Sequence, residues 1–419
     1  MSGILRSSFN LIRTLHRRRA LHNASSGDAL RVYNPPRSAS FCPVRLLPAS
    51  GKEFGLPRSA PLCVALLATF VLPVSARDYA AKLTVEKVAD GVYLFASSRH
   101  GDVGFVGNSV AILSDEGVLV FDAGCVPSDS AAVLAQIRKL TDKPVRYLVN
   151  SHWHWDHWQG NQTYKAAFPA LEIISQKNTR DLMHDVSVPR TANDLKALPD
   201  YIASLEKDLS AKKSAHAPDG ELRDLEQLLQ ADKYFLAQKQ SVQFTYPNFT
   251  YTESATIWLG TREIRLSHAQ AITSGDSYAY MPKEKVLITG DILVRPIPFA
   301  VGGTFPADWI ATLQKLIALD PEVVIPGHGT TEGAKQALEQ NLQLFQRIVQ
   351  LVRDAKAKGL SEEQSVEAIG KDERELAAMI GVTDAGLLPS FKPFFLEVFV
   401  RRAYHELDHP LTDFPSAKP

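Results

Sequence analysis

Residues 151–161 read SHWHWDHWQGN. Three histidines, one aspartate and three tryptophans fall within His152 to Gln159, in a chain that has only 12 histidines. Imidazole and carboxylate at this density are the donors a zinc-like ion takes from a protein. The run before them, VRYLVNS (145–151), reads as a buried strand, so the donors emerge at a strand's carboxyl end, where α/β sheets form their sites. Alternation along an extended turn throws His152 and His154 to one side, within reach of a single ion.

Working outward, LTVEKVADGVYLFAS (83–97) and GNSVAILSDEGVLVFDAG (107–124) are β-branched and aromatic runs broken at Asp90-Gly91 and Asp115-Glu116-Gly117, which reads as hairpins. Residues 129–141 have helical spacing, with Ser128 or Asp129 as the cap. Residues 176–240 are polar and helical, split at Ala217-Pro218-Asp219-Gly220. Strands are expected again at SVQFTY (241–246), ATIWLG (255–260), REIRLSH (262–268), SYAYMP (277–282) and KVLITGD (285–291). A helix at 307–318, the strand EVVIPGHG (322–329) and a helical tail from Glu332 complete the pattern. Within the tail, Ser361-x-x-Gln364 reads as a capping box, and FKPFFLEVFVRR (391–402) as core packing.

Three motifs share a position, each at the end of a strand: His152-x-His154-x-Asp156-His157, then Gly290-Asp291 after LIT, then Pro326-Gly327-His328-Gly329 after VVI. In this order they resemble the metallo-β-lactamase fold superfamily, over about residues 83–331. The resemblance implies an α/β fold, a four-layer αββα sandwich of two similar halves, here with a helical insert and a C-terminal helical extension. It implies His152 and His154 at a first metal, Asp156, His157 and His328 at a second, and Asp291 bridging the two. Asp122, in FDAG, resembles the aspartate that orients ligands without touching metal. The cofactor expected is zinc, one or two ions, with iron or manganese as alternatives. Two ions roughly 3.5–4 Å apart would share a hydroxide and polarise a carbonyl or phosphoryl oxygen. Asp156, the catalytic residue of this reading, could pass a proton to the leaving group.

One ligand departs from the pattern. Where the family reads Ala-His-Thr-x-Gly-Asp, this chain reads Ala271-Ile272-Thr273-Ser274-Gly275-Asp276. Isoleucine has no lone pair, which leaves the first site short of a histidine. His268 is the possible substitute, although four residues of extended strand span about 13 Å. Trp153, Trp155 and Trp158 are candidates for a substrate cleft, and His100, in RHGDVGF (99–105), for a loop overhanging it. Cys125 reads as a small buried residue.

The activity expected is hydrolysis of an ester, lactone, thioester or amide bond by a metal-held hydroxide. The alternatives are a catalytically degenerate binding protein of the same fold and a mononuclear iron oxygenase. Lys+Arg and Asp+Glu both number 46, so charge gives no reason to expect nucleic acid, and a small-molecule substrate is the partner. Residues 1–58 differ in kind, with ten Lys/Arg against Asp28 and Glu53. An apolar run follows from Ala60 to Val74 and ends in Val74-Ser75-Ala76, the form of a signal peptide cleaved after Ala76. This predicts a leader (1–76, with the signal-like segment at 60–76), a main domain (77–331, insert about 176–240) and an extension (332–419). It also predicts a secreted or periplasmic protein with no stable membrane insertion after cleavage. The Arg- and Ser-rich start, free of acids, leaves mitochondrial import as the alternative.

Overall fold

The computed structural model describes residues 82–101 and 103–413; the leader expected at 1–76 lies outside them. Among the described residues, twelve strands form two sheets. The first holds β1 (Leu83–Ala89), β2 (Val92–Ser97), β3 (Ser109–Leu113), β4 (Val118–Phe121), β5 (Val145–Asn150), β6 (Glu172–Gln176) and β7 (Phe249–Tyr251), in that order. β1 to β4 pair antiparallel, and β4 to β7 pair parallel. The second sheet runs β12-β11-β10-β9-β8, made of β8 (Ser254–Leu259), β9 (Arg262–Ala269), β10 (Asp276–Met281), β11 (Val286–Ile288) and β12 (Val323–Ile325). Its only parallel pair is β11 with β12. Each sheet therefore opens with antiparallel strands and closes with a parallel crossover.

The central strands β3, β4, β10 and β11 are buried on both faces, which is why they read as nearly continuous apolar runs, whereas the edge strands β1 and β8 expose alternate or successive residues. Successive side chains of each sheet separate into an inner core, shared by the two sheets, and an outer one. Val110, Ile112, Leu119, Phe121 and Val149 face Ile264, Leu266, Ala279, Met281 and Ile325 between the sheets. Their neighbours Ala111, Val118, Val120 and Leu148 turn outward onto Val133, Leu134 and Ile137 of α1 (Pro127–Leu140). On the opposite outer face, Leu287 and Val324 meet Trp309, Leu313 and Leu316 of α7 (Pro306–Ala318) and Phe345 of α8 (Ala334–Ala357). The αββα sandwich follows from this division of the side chains. Phe391, Phe395 and Phe399 of the extension are fully buried in that last core. The Ser361–Gln364 capping box opens α9 (Glu362–Gly370). Among the described residues no helix is long and apolar enough to cross a membrane.

Between β5 and β7 the chain forms α2 (Trp155–Trp158), α3 (Asn161–Ala167), α4 (Lys177–Leu182), and the two long insert helices α5 (Val188–Ser214) and α6 (Asp219–Gln240). Two local expectations fail here. SVQFTY is not a strand, because its backbone bonds to side chains: Gln243 N–H donates to Gln162 Oε1, and Thr245 C=O accepts from Asn161 Nδ2 at 2.9 Å. Phe244 and Tyr246 pack on Trp158 instead. Nor does Ser128 or Asp129 cap α1, which starts at Pro127 with no side-chain cap. The Asp129 carboxylate is held elsewhere, by His100 Nε2 at 2.7 Å and Cys125 Sγ at 2.8 Å.

Candidate metal centre

Every donor sits just beyond the carboxyl end of a parallel strand: Asp122 after β4, His152 to His157 after β5, Asp291 after β11 and His328 after β12. The structure brings them into two clusters. His152, His154 and Asp291 offer donor atoms within 4.8 Å of one another, and so do Asp156, His157 and His328. His152 Nε2 and His154 Nδ1 are 2.8 Å apart. His328 Nε2 lies 3.1 Å from Asp156 Oδ2, and His157 Nε2 lies 3.5 Å from the same oxygen. Asp291 reaches both clusters. Its Oδ1 is 3.3 Å from His157 Nε2 and 3.5 Å from His328 Nε2, while its Oδ2 is 3.7 Å from His152 Nε2.

Asp122 holds this arrangement from behind. Its Oδ1 accepts from Ser151 N–H at 2.7 Å, and its Oδ2 contacts Ser151 Oγ at 2.7 Å and His157 Nδ1 at 2.8 Å. With Nδ1 fixed in this way, the other ring nitrogen of His157 faces the centre. Asp122 does so from a left-handed backbone, φ 63°, a conformation that costs a non-glycine residue about 1–3 kcal/mol.

The charges suit a cation. Burial, with His157 and His154 beside it, keeps His152 well below the usual imidazole range, and burial brings His154 down to about 4. Both are therefore neutral near pH 7 and have lone pairs to give. Burial works against the Asp156 and Asp291 carboxylates, yet His157 and His328 hold both below the usual range and ionised. Burial also opposes charge on His157 and His328. Asp291 and Asp156 overcome it, raising His328 to about 9 and His157 well above its ordinary value. The carboxylates thus keep protons on His157 and His328, which a divalent cation would displace.

Unpaired polar atoms point the same way. His154 Nε2, His157 Nε2 and Asp291 Oδ1 are buried without a hydrogen-bond partner. Each such group costs about 1–3 kcal/mol, and a bound cation would satisfy the two that converge, His157 Nε2 and Asp291 Oδ1. The donor set, imidazole with carboxylate, fits zinc, iron or manganese.

Ile272 is fully buried in the turn before β10 and supplies no donor. His268 does not replace it. It lies on β9, outside both clusters, and its Nε2 is 3.0 Å from the Ser274 carbonyl oxygen. His100 does not overhang the centre either. It is 1% exposed, paired with Asp129 and stacked on Phe235 of α6. Trp158 is fully buried, and its Nε1 donates to the Trp153 carbonyl at 3.0 Å, so it is a packing residue and not a cleft wall. Trp153 is 2% exposed with its ring edge-on to His154, while Trp155 is half-buried against Phe235. Cys125 is buried, and burial with the Asp129 carboxylate beside it keeps its thiol well above the usual range.

Sequence reading missed two residues that touch this site. Asn108 N–H donates to the Gly327 carbonyl at 2.7 Å, and Asn108 Nδ2 donates to the carbonyls of Pro326 and Gly329, each at 2.9 Å. These bonds fix the loop that carries His328. Gly107, the residue before it, lies flat on the His157 ring, and a Cβ there would sit 2.5–2.9 Å from three ring atoms. A glycine beside an asparagine ahead of a buried strand was a signal of close approach. Gly107→Ala should push the His157 ring aside and weaken metal affinity about tenfold or more. Competition against a chelator measures this, and an unchanged affinity would mean the ring moves without consequence.

A family model described as the metallo-beta-lactamase superfamily matches residues 102–328. Linear primary-alkylsulfatase of Pseudomonas sp. (strain ATCC 19151) is 24% identical over 269 residues, 62% of this chain and 49% of that protein, so the chain spans about half the length of that relative. Among solved structures, a metallo-beta-lactamase from Pontibacter korlensis shares 17% identity and a TM-score of 0.46, covering 63% of this chain and 99% of its own. DIM-1 metallo-beta-lactamase shares 16% identity and a TM-score of 0.41, covering 62% of this chain and 99% of its own.

Proposed function

Because the chain belongs to the metallo-beta-lactamase superfamily, we propose that it is a metal-dependent hydrolase of an ester bond, with a sulfate ester the first candidate. The observation that carries the reading is Asp291, which turns one carboxylate oxygen towards each donor cluster. The alkylsulfatase relative favours a sulfate ester among the ester, lactone, thioester and amide bonds this chemistry can reach. A divalent cation held here supplies a Lewis acid and lowers the pKa of water.

The chain's own residues do the rest. Asp122 holds His157 in one orientation through Nδ1. The Asp156 carboxylate, ionised and 7% exposed, is placed to take the proton of an attacking water and return it to the leaving group. Zinc, as one or two ions, is the metal we propose. A second reading, a binding protein that has lost its chemistry, is favoured by the buried Ile272.

Metal analysis and a substrate panel separate the two. The purified protein, with and without added zinc, would be offered aryl and alkyl sulfates, carboxylic esters, lactones and thioesters. Hydrolysis that a chelator removes and metal restores supports the enzyme. Tight metal binding with no turnover across the panel would leave only the binding protein.

A further inference from the structure

The insert carries a lysine turned inward. Lys239, in the last turn of α6, is only 4% exposed. Its ammonium lies 4.0 Å from the centre of the Trp155 ring and 5.8 Å from that of Phe235, and it donates to Gln159 Oε1. Gln159 Nε2 in turn donates to Thr191 Oγ1 of α5 at 2.7 Å. The other titratable groups facing Lys239 are Cys125 just before α1, Asp129 in its first turn, Asp194 of α5 and Asp156 of α2. Burial lowers Lys239 to about 8, and these neighbours favour its charged form. A lysine ordinarily sends its ammonium to water along an apolar stem, so an inward ammonium this desolvated needs a use.

Its two partners indicate one. Trp155 is the first residue of α2 and Gln159 closes it; Asp156 and His157, two donors of the second cluster, lie between them. We propose that Lys239 is a positioning residue of the metal centre: one ammonium holds both ends of α2, and so fixes the direction of the Asp156 carboxylate. The proposal rests on reading the donor clusters as a metal centre. The insert then acts on the centre through Lys239 as well as through its packing. The His100–Asp129–Cys125 cluster behind it supplies the Asp129 carboxylate as part of the lysine's counter-charge.

Cobalt(II) is the probe, since its visible spectrum reports ligand geometry without turnover. Lys239→Met keeps the aliphatic stem and removes the charge. It is expected to weaken cobalt(II) affinity about tenfold or more in competition with a chelator, and to shift the visible bands. Lys239→Gln should do the same and serves if the methionine variant does not fold, as judged by melting. Leu229→Ala, which cuts a residue 4% exposed in the apolar cluster of the insert helices with Val106 and Val126, should lower melting temperature and leave affinity and bands unchanged. Wild-type affinity and bands in folded Lys239 variants would overturn the proposal, and so would an equal loss in Leu229→Ala. Failure of the wild-type protein to take up cobalt(II) would overturn the metal reading itself, and this proposal with it.

Discussion

Asp291→Ala is expected to lose bound metal at both clusters together, with affinity down by about a hundredfold or more and hydrolysis falling with it. Its two oxygens lie 3.3 Å from His157 Nε2, 3.5 Å from His328 Nε2 and 3.7 Å from His152 Nε2, so this one carboxylate serves both clusters. Residues that merely orient a ligand are worth about 10–100-fold in affinity or activity, and a shared direct ligand should exceed that. Asp291→Asn is the sharper form, because it keeps the shape and removes the charge. His328→Ala should lose metal from one cluster only. Metal content by elemental analysis, read beside turnover, separates the cases. Full metal and full turnover in Asp291→Asn would remove the reason for reading the two clusters as one centre.

The second large effect runs the other way. Ile272→His should raise metal per chain towards two and increase hydrolysis of a generic ester. The turn that carries Ile272 is firmly placed: Asp276 Oδ2 accepts from Ala271 N–H at 3.1 Å and Thr273 N–H at 2.8 Å. β10 then fastens to the metal loop through Ser277 N–H to the Ser151 carbonyl, 2.8 Å. A histidine there would complete three imidazoles with His152 and His154, the ligand set of an open catalytic zinc site. Should the side chain face the core instead, the change buries an unpaired imidazole and destabilises the fold by about 1–3 kcal/mol. No added metal together with a lower melting temperature would therefore defeat the prediction. His268→Ala should leave metal content as it is, since its ring is engaged with the Ser274 carbonyl.

The sequence made legible what depends on neighbours along the chain. Strand ends and the order of the three motifs carry local signals, and through the family resemblance they implied the sandwich and the six ligands. What escaped depends on partners far away in the chain. Nothing near His100 announces Asp129, 29 residues on. Nothing near Lys239 announces Gln159, 80 residues before it. SVQFTY has the composition of a strand, but Asn161 and Gln162 engage its backbone before a neighbouring strand can. Trp158 reads as a cleft candidate because it stands among ligands; the insert and Tyr246 cover it.

The donors are divided between the two sheets: His152, His154, Asp156 and His157 follow a strand of the first, and Asp291 and His328 follow strands of the second. An ion bound among them is therefore also a cross-link, one whose strength depends on the surrounding solution. By mass action, free metal at a hundred times its dissociation constant adds about 2.7 kcal/mol to the folded state, a large share of the roughly 5–15 kcal/mol that holds an ordinary domain together. Metal supply would then regulate how long the folded chain survives as well as how fast it works, and starvation for metal would act first on the seam between the sheets.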